Sequence, residues 1–139
     1  MKRSTPARRI VATTAAGYHS VSVGTTWRRW SKSESDLARG LDLARAGEYF
    51  AAHEALEDAW RAADPAEKDF FQGLVHVVVA WYQAGRGNET GCERQLEKAA
   101  RRLGPFSPTH RGVEVAALLS QVEAAQALGT LELPPLDIP

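Results

Sequence analysis

From residue 34 onward, apolar side chains recur every three or four positions, the period of a helix buried along one face. Ser33 or Ser35 is expected to cap a first helix carrying Leu37, Leu41 and Ala44, which Gly47 interrupts. A second, about 48–63, aligns Tyr49, Ala52, Leu56, Ala59, Trp60 and Ala63 before Asp64-Pro65 ends it. A third, about 67–85, is apolar nearly all round. Its valines would also suit a strand, but its length and the charged flank Glu67-Lys68-Asp69 favour a helix at the centre of a bundle. A fourth, about 89–103, buries Cys92, Leu96, Ala99, Ala100 and Leu103, and a fifth is expected over about 110–128. The proline-rich LELPPLDIP that follows should lie extended along the bundle. The pattern predicts an all-α fold: a single bundle of about five helices built from helical hairpins, occupying 32–139.

A faint repeat runs through this pattern. Residues 47–65 overlay 87–105 at an offset of forty, pairing Gly47 with Gly87, Leu56 with Leu96, Glu57 with Glu97, Arg61 with Arg101 and Pro65 with Pro105. Two copies do not make a solenoid, so the expectation is two similar hairpins closing one bundle. Positions shared by both copies read as scaffold. His53, Glu54 and Asp58 oppose Glu93, Arg94 and Lys98, so whatever those three do is peculiar to the second helix.

Composition adjusts this picture in three places. The net charge of zero conceals an asymmetry: residues 1–33 hold seven Lys or Arg and no acid, leaving the remainder at about −7. The first 31 residues therefore read as a basic, disordered tail, in which Trp27-Arg28-Arg29-Trp30 either stays idle or docks on the domain or a partner. An acidic body argues against a nucleic-acid surface, which needs clustered Lys and Arg. The single cysteine, Cys92, excludes an internal disulfide and, with no apolar run longer than Phe70–Tyr82, points to a cytoplasmic protein without a membrane span.

Candidate chemistry concentrates in FAAHEALEDAW, residues 50–60. At 100° per residue, His53 falls inside the apolar stripe, Glu57 at its edge, and Glu54 and Asp58 toward water. Gln72 and His76 are the polar groups of the third helix, one turn apart, and antiparallel pairing would set them opposite His53 and Glu57. A zinc site of the H-E-x-x-H type would need histidine where Glu57 stands, and a di-iron bundle would need carboxylates on the third helix. A single divalent metal held by His53, Glu57 and His76 is the one geometry left, and no cofactor is otherwise expected. The plainer reading is a buried hydrogen-bond network, with His53→Ala costing about 1–3 kcal/mol. Between these lies a binding site lined by Tyr49, Phe50, His53, Glu57 and Gln72.

The run AGEYFAAHEALEDAWRAA, then FFQGLVHVVVAWYQAGRGNETGCERQLEKAARRL, then RGVEVAALL closely resembles the bacterial and archaeal family known as domain of unknown function 309. Its markers here are Gly47, Tyr49, His53-Glu54, Glu57, Trp60, Gln72-Gly73-Leu74, Gly87-Asn88 and Arg111-Gly112. The resemblance implies a small all-α bundle and no particular reaction; His76 stands where the family tends to carry glutamine or leucine. The expected function is a binding or interaction module for a protein or small molecule, organised round a polar centre of Tyr49, His53, Glu54, Glu57, Trp60, Gln72 and His76. Self-association is compatible with it. The alternative is a metal-assisted or general acid–base hydrolase using His53 and Glu57.

Overall fold

The computed structural model describes residues 31–139, together with a two-residue antiparallel backbone pairing of Tyr18–His19 with Arg28–Arg29. That pairing was not expected from the sequence. The other expectations for the basic segment, including the fate of Trp27 and Trp30, lie outside the described residues. The chain divides into two compact units, 1–35 and 36–139.

Five α-helices are present among the described residues: α1 (Lys32–Arg45), α2 (Tyr49–Ala62), α3 (Lys68–Gly85), α4 (Glu89–Leu103) and α5 (Val115–Leu128). The first cap falls earlier than expected. The Ser31 hydroxyl accepts from the Glu34 amide at 3.2 Å, while the Glu34 carboxylate accepts from the Ser31 amide at 3.0 Å. This reciprocal box satisfies two backbone donors at once.

The repeat reappears as backbone chemistry. In the turn from α1 to α2, Gly47 donates to the Ala44 carbonyl and Glu48 to that of Leu43; in the turn from α3 to α4, Gly87 donates to Ala84 and Asn88 to Gln83. Gly47 and Gly87 have φ of 81° and 77°, a left-handed conformation that glycine adopts without strain. Leu56 and Leu96 are both buried, and Arg61 and Arg101 both reach back to the acid four residues earlier, Glu57 and Glu97.

Helix α3 is the axis of the body, packed by α2 and α4, and Phe70, Phe71, Leu74, Val77 and Val78 are fully enclosed. Helix geometry prevails over the valines' preference for strands because a central helix buries most of the segment's circumference, leaving only the Gln72, Val79 and Gln83 side partly open. Contact with α4 is close: a Cβ on Gly73 would stand 2.6 Å from Leu103 Cγ, so only glycine lets the helices approach this far.

The fifth helix begins five residues later than expected. Arg111 and Gly112 both have positive φ, 49° and 78°, and His110 and Val113 exchange backbone hydrogen bonds across them. The pair forms a tight two-residue turn, with the left-handed torsions of hairpin turns, that a helix cannot contain. Beyond α5, Leu136 and Ile138 are buried, as the extended reading required. Trp81 Nε1 donates to the Pro134 carbonyl at 2.8 Å, Arg45 Nε to the Ile138 carbonyl at 3.0 Å, and the Leu136 amide to the Tyr49 hydroxyl at 3.2 Å. Gln121 adds hydrogen bonds to both backbone groups of Asp137. The strap thus ties α1, α2, α3 and α5 together.

Removing residues 134–139 exposes apolar surface and strips partners from Trp81, Arg45 and Tyr49. Urea denaturation of the truncated chain should show a loss of at least about 3 kcal/mol, the scale of two buried aliphatic side chains. An unchanged midpoint would mean the strap adds nothing to stability.

Candidate functional site

The polar residues that the sequence grouped together separate in three dimensions. His53, on α2, has its Nε2 3.4 Å from Glu57 Oε2 and its side chain 24% exposed. Glu57 also meets Arg61, which pairs with Asp58 at 2.7 Å; Asp58 in turn meets Arg39, and Arg39 meets Asp36 on α1. His53 is therefore the end of a half-exposed ladder of charges, not the middle of a buried network. Its Nδ1 is buried and has no hydrogen-bond partner.

His76 turns instead to the other flank of α3. Its Nδ1 donates to Gln95 Oε1 on α4 at 2.7 Å. Burial holds the imidazole below its ordinary value of 6.5; the Gln95 hydrogen bond works against this, and the positive charges of Arg102, Lys98 and Arg101 work with it. Gln72 lies partly exposed between these flanks and makes no hydrogen bond among the described residues. The expected meeting of His53 with Gln72 and His76 therefore does not occur. Nor do His53, Glu57 and His76 gather round one point: no three His, Cys, Asp or Glu among the described residues could hold a metal ion together.

Two other members have structural duties. The Tyr49 hydroxyl holds the strap, and Trp60 is covered by Lys68, whose ammonium lies 4.9 Å from the ring centroid and 2.7 Å from the Trp60 carbonyl. Glu54 is exposed and has no ion pair among the described residues. What remains near His53 is an aromatic shelf. The Phe50 ring lies 5.5 Å from that of His53 and 5.4 Å from that of Tyr82, yet Phe50 is 50% exposed. With Val79 and Gln83 these rings bound a shallow, open cavity of about 160 Å³ between α2 and α3.

A second polar cluster escaped sequence reading altogether. Glu67 Oε1 accepts from His110 Nε2 at 2.7 Å and from Arg111 Nε at 2.5 Å. The rings of Phe70 and Phe106 pack on His110 at 4.7 and 4.8 Å. Burial raises the Glu67 pKa, but the Arg111 and His110 hydrogen bonds, with the charges behind them, outweigh it and hold the carboxyl below its ordinary 4.5. The cluster fastens the turn at 111–112 to the start of α3, offsetting the roughly 1–2 kcal/mol that a left-handed arginine costs. Only the Arg111-Gly112 pair hinted at it, because the three residues meet across more than forty positions of sequence.

Two predictions follow from these environments. Since His53 has no hydrogen bond to lose through Nδ1, His53→Ala should lower stability by about 1 kcal/mol or less; a loss of 2 kcal/mol or more by chemical denaturation, on the order of a broken buried hydrogen bond, would restore the network reading. The folded state resists protonation of His76, so stability is full above 6.5 and falls as pH drops below it, levelling off beneath the folded-state value. Glu67 adds a further fall only below 4.5. In His76→Gln the upper slope should vanish and the lower one persist when melting temperature is followed from pH 7.5 to 4.

Comparison with known proteins agrees with the sequence resemblance. Over 100 residues, 63% of this chain, it is 28% identical to the uncharacterised protein YpuF of Bacillus subtilis (strain 168). Over 102 residues, 72% of this chain, it is 24% identical to an uncharacterised protein of Aquifex aeolicus (strain VF5). The matches span 56% and 30% of those relatives' lengths, so the chain corresponds to part of each. Residues 37–95, from the middle of α1 to Gln95, match the family described as domain of unknown function (DUF309).

Proposed function

We propose that the domain is a protein-interaction module whose contact face is the shelf of Phe50, His53 and Tyr82 between α2 and α3. The observation that carries this reading is the Phe50 side chain, held against two rings and still half in water. A large aromatic held in place by its neighbours is a pre-ordered anchor of the kind that dominates interface energies once a partner covers it. The surroundings define that partner. Glu54, exposed and without an ion pair among the described residues, lies one turn along α2 from Phe50, while Arg86 occupies the far side of the shelf on the Tyr82 hydroxyl, so the complementary surface presents an apolar anchor with a Lys or Arg on the Glu54 side. The alternative, an acid–base hydrolase using His53 and Glu57, has less behind it, because His53 lines the cavity with Phe50, Val79, Tyr82 and Gln83 while Glu57 stands outside it.

The test replaces Phe50 with a photo-crosslinking phenylalanine analogue in the full chain, with the same analogue at exposed Arg94 as control. Irradiated cells should yield a discrete adduct with another protein at position 50 and not at 94. Charge reversal by Glu54→Lys with Glu57→Lys should abolish it while the domain stays folded by circular dichroism. Equal adducts at both positions, adducts indifferent to charge reversal, or an adduct only with a second copy of the chain would overturn the proposal.

A further inference from the structure

A second cavity, about 230 Å³, lies where the first turns of α4 meet the end of α5 and residues 129–131. It shares no residue with the Phe50 shelf. Its apolar lining comes from Cys92, Leu96, Ala125 and Leu131, its polar rim from Glu89, Glu93, Gln126 and Thr130.

Two rim carboxylates give this cavity its sign of charge. Glu89 and Glu93 stand one turn apart on the same face of α4. Neither has an ion pair among the described residues, whereas Glu97, a turn further along, meets Arg101 at 3.5 Å. The C-terminus of α5, closed by Gly129 in a left-handed conformation, brings the negative end of one helix dipole to the opening, and the N-terminus of α4 brings the positive end of another, so the two carboxylates set the sign. The Cys92 thiol responds to these surroundings: burial first and the Glu93 charge second push its pKa up. It therefore serves as apolar wall and not as a nucleophile.

Size and shape narrow the occupant further. At roughly 30 Å³ per small heavy-atom group, the share of one water in the liquid, the space accepts about seven or eight such groups. That is below the volume usual for a drug-sized ligand. A negative rim over an apolar floor rejects anions and leaves a small, free, hydrated cation without ligands for its inner side. It suits a molecule with a positive head and a short hydrocarbon body. From this combination of cavity, unpaired rim carboxylates and apolar floor we propose that the cavity is a binding site for a short linear alkylammonium. Its ammonium lies against Glu89 and Glu93, and its chain crosses Leu96, Ala125 and Leu131.

The experiment uses the full chain, with n-pentylamine as probe and 1-pentanol as its uncharged counterpart, followed by amide chemical shifts at neutral pH. Pentylamine should cause saturable shifts confined to residues around 89–96 and 125–131, with an affinity at least tenfold above that of pentanol. Glu89→Gln with Glu93→Gln, both exposed positions that leave the core intact, should weaken pentylamine at least tenfold and leave pentanol unchanged. Ala125→Met, which fills the floor, should weaken both. Equal affinity for amine and alcohol, shifts spread over all acidic surfaces, or binding unaltered by the glutamines would each overturn the proposal.

Discussion

Everything in the body follows from one constraint, that α3 is apolar over most of its circumference and must be covered there. A two-helix hairpin can shield only one flank of such a helix. Helices α2 and α4 take opposite flanks, α5 packs against α4, and the proline-rich strap receives the Trp81 indole at Pro134. Gly73 shows how strongly the contact is drawn in: one methyl group there would collide with Leu103. Burial of this helix sets the spacing of its neighbours, and that spacing in turn decides which polar side chains meet.

This explains why the fold was more legible than the site. Helical period, glycine turns and proline stops are local signals, and they located α2, α3 and α4 within a residue or so. The errors fell where a local signal had a stronger local rival. Ser31 and Glu34 satisfy each other, which displaces the expected cap at Ser33 or Ser35. Arg111 and Gly112 adopt a turn that no apolar period reveals, which delays α5.

The site required more than period. A helical wheel assigns His53, Gln72 and His76 angles on their own helices, but it carries no information about rotation relative to a neighbour. A rotation of a few tens of degrees suffices to send His76 to Gln95 on α4 while His53 remains with Phe50 and Glu57. The Glu67–His110–Arg111 cluster lies further still from sequence reasoning, since a turn brings two of its members to a third across the fold. Much of the motif FAAHEALEDAW proves to serve architecture: Leu56 and Ala59 fill the core, Asp58 pairs with arginines, and Trp60 receives Lys68. Phe50, His53 and Glu54 are left without such a duty, which is why the functional proposal rests on them.

The strap has a consequence for how the molecule comes into being. Its hydrogen bonds join residues 53, 87 and 93 positions apart, whereas each helical hairpin closes through neighbours in sequence. Local contacts form early and cheaply, and distant ones only after a large loop has been closed. Residues 134–138 also leave the ribosome after α1 to α5. A nascent chain can therefore hold all five helices while Trp81, Tyr49 and Arg45 still lack their strap partners, so closure of the strap comes last.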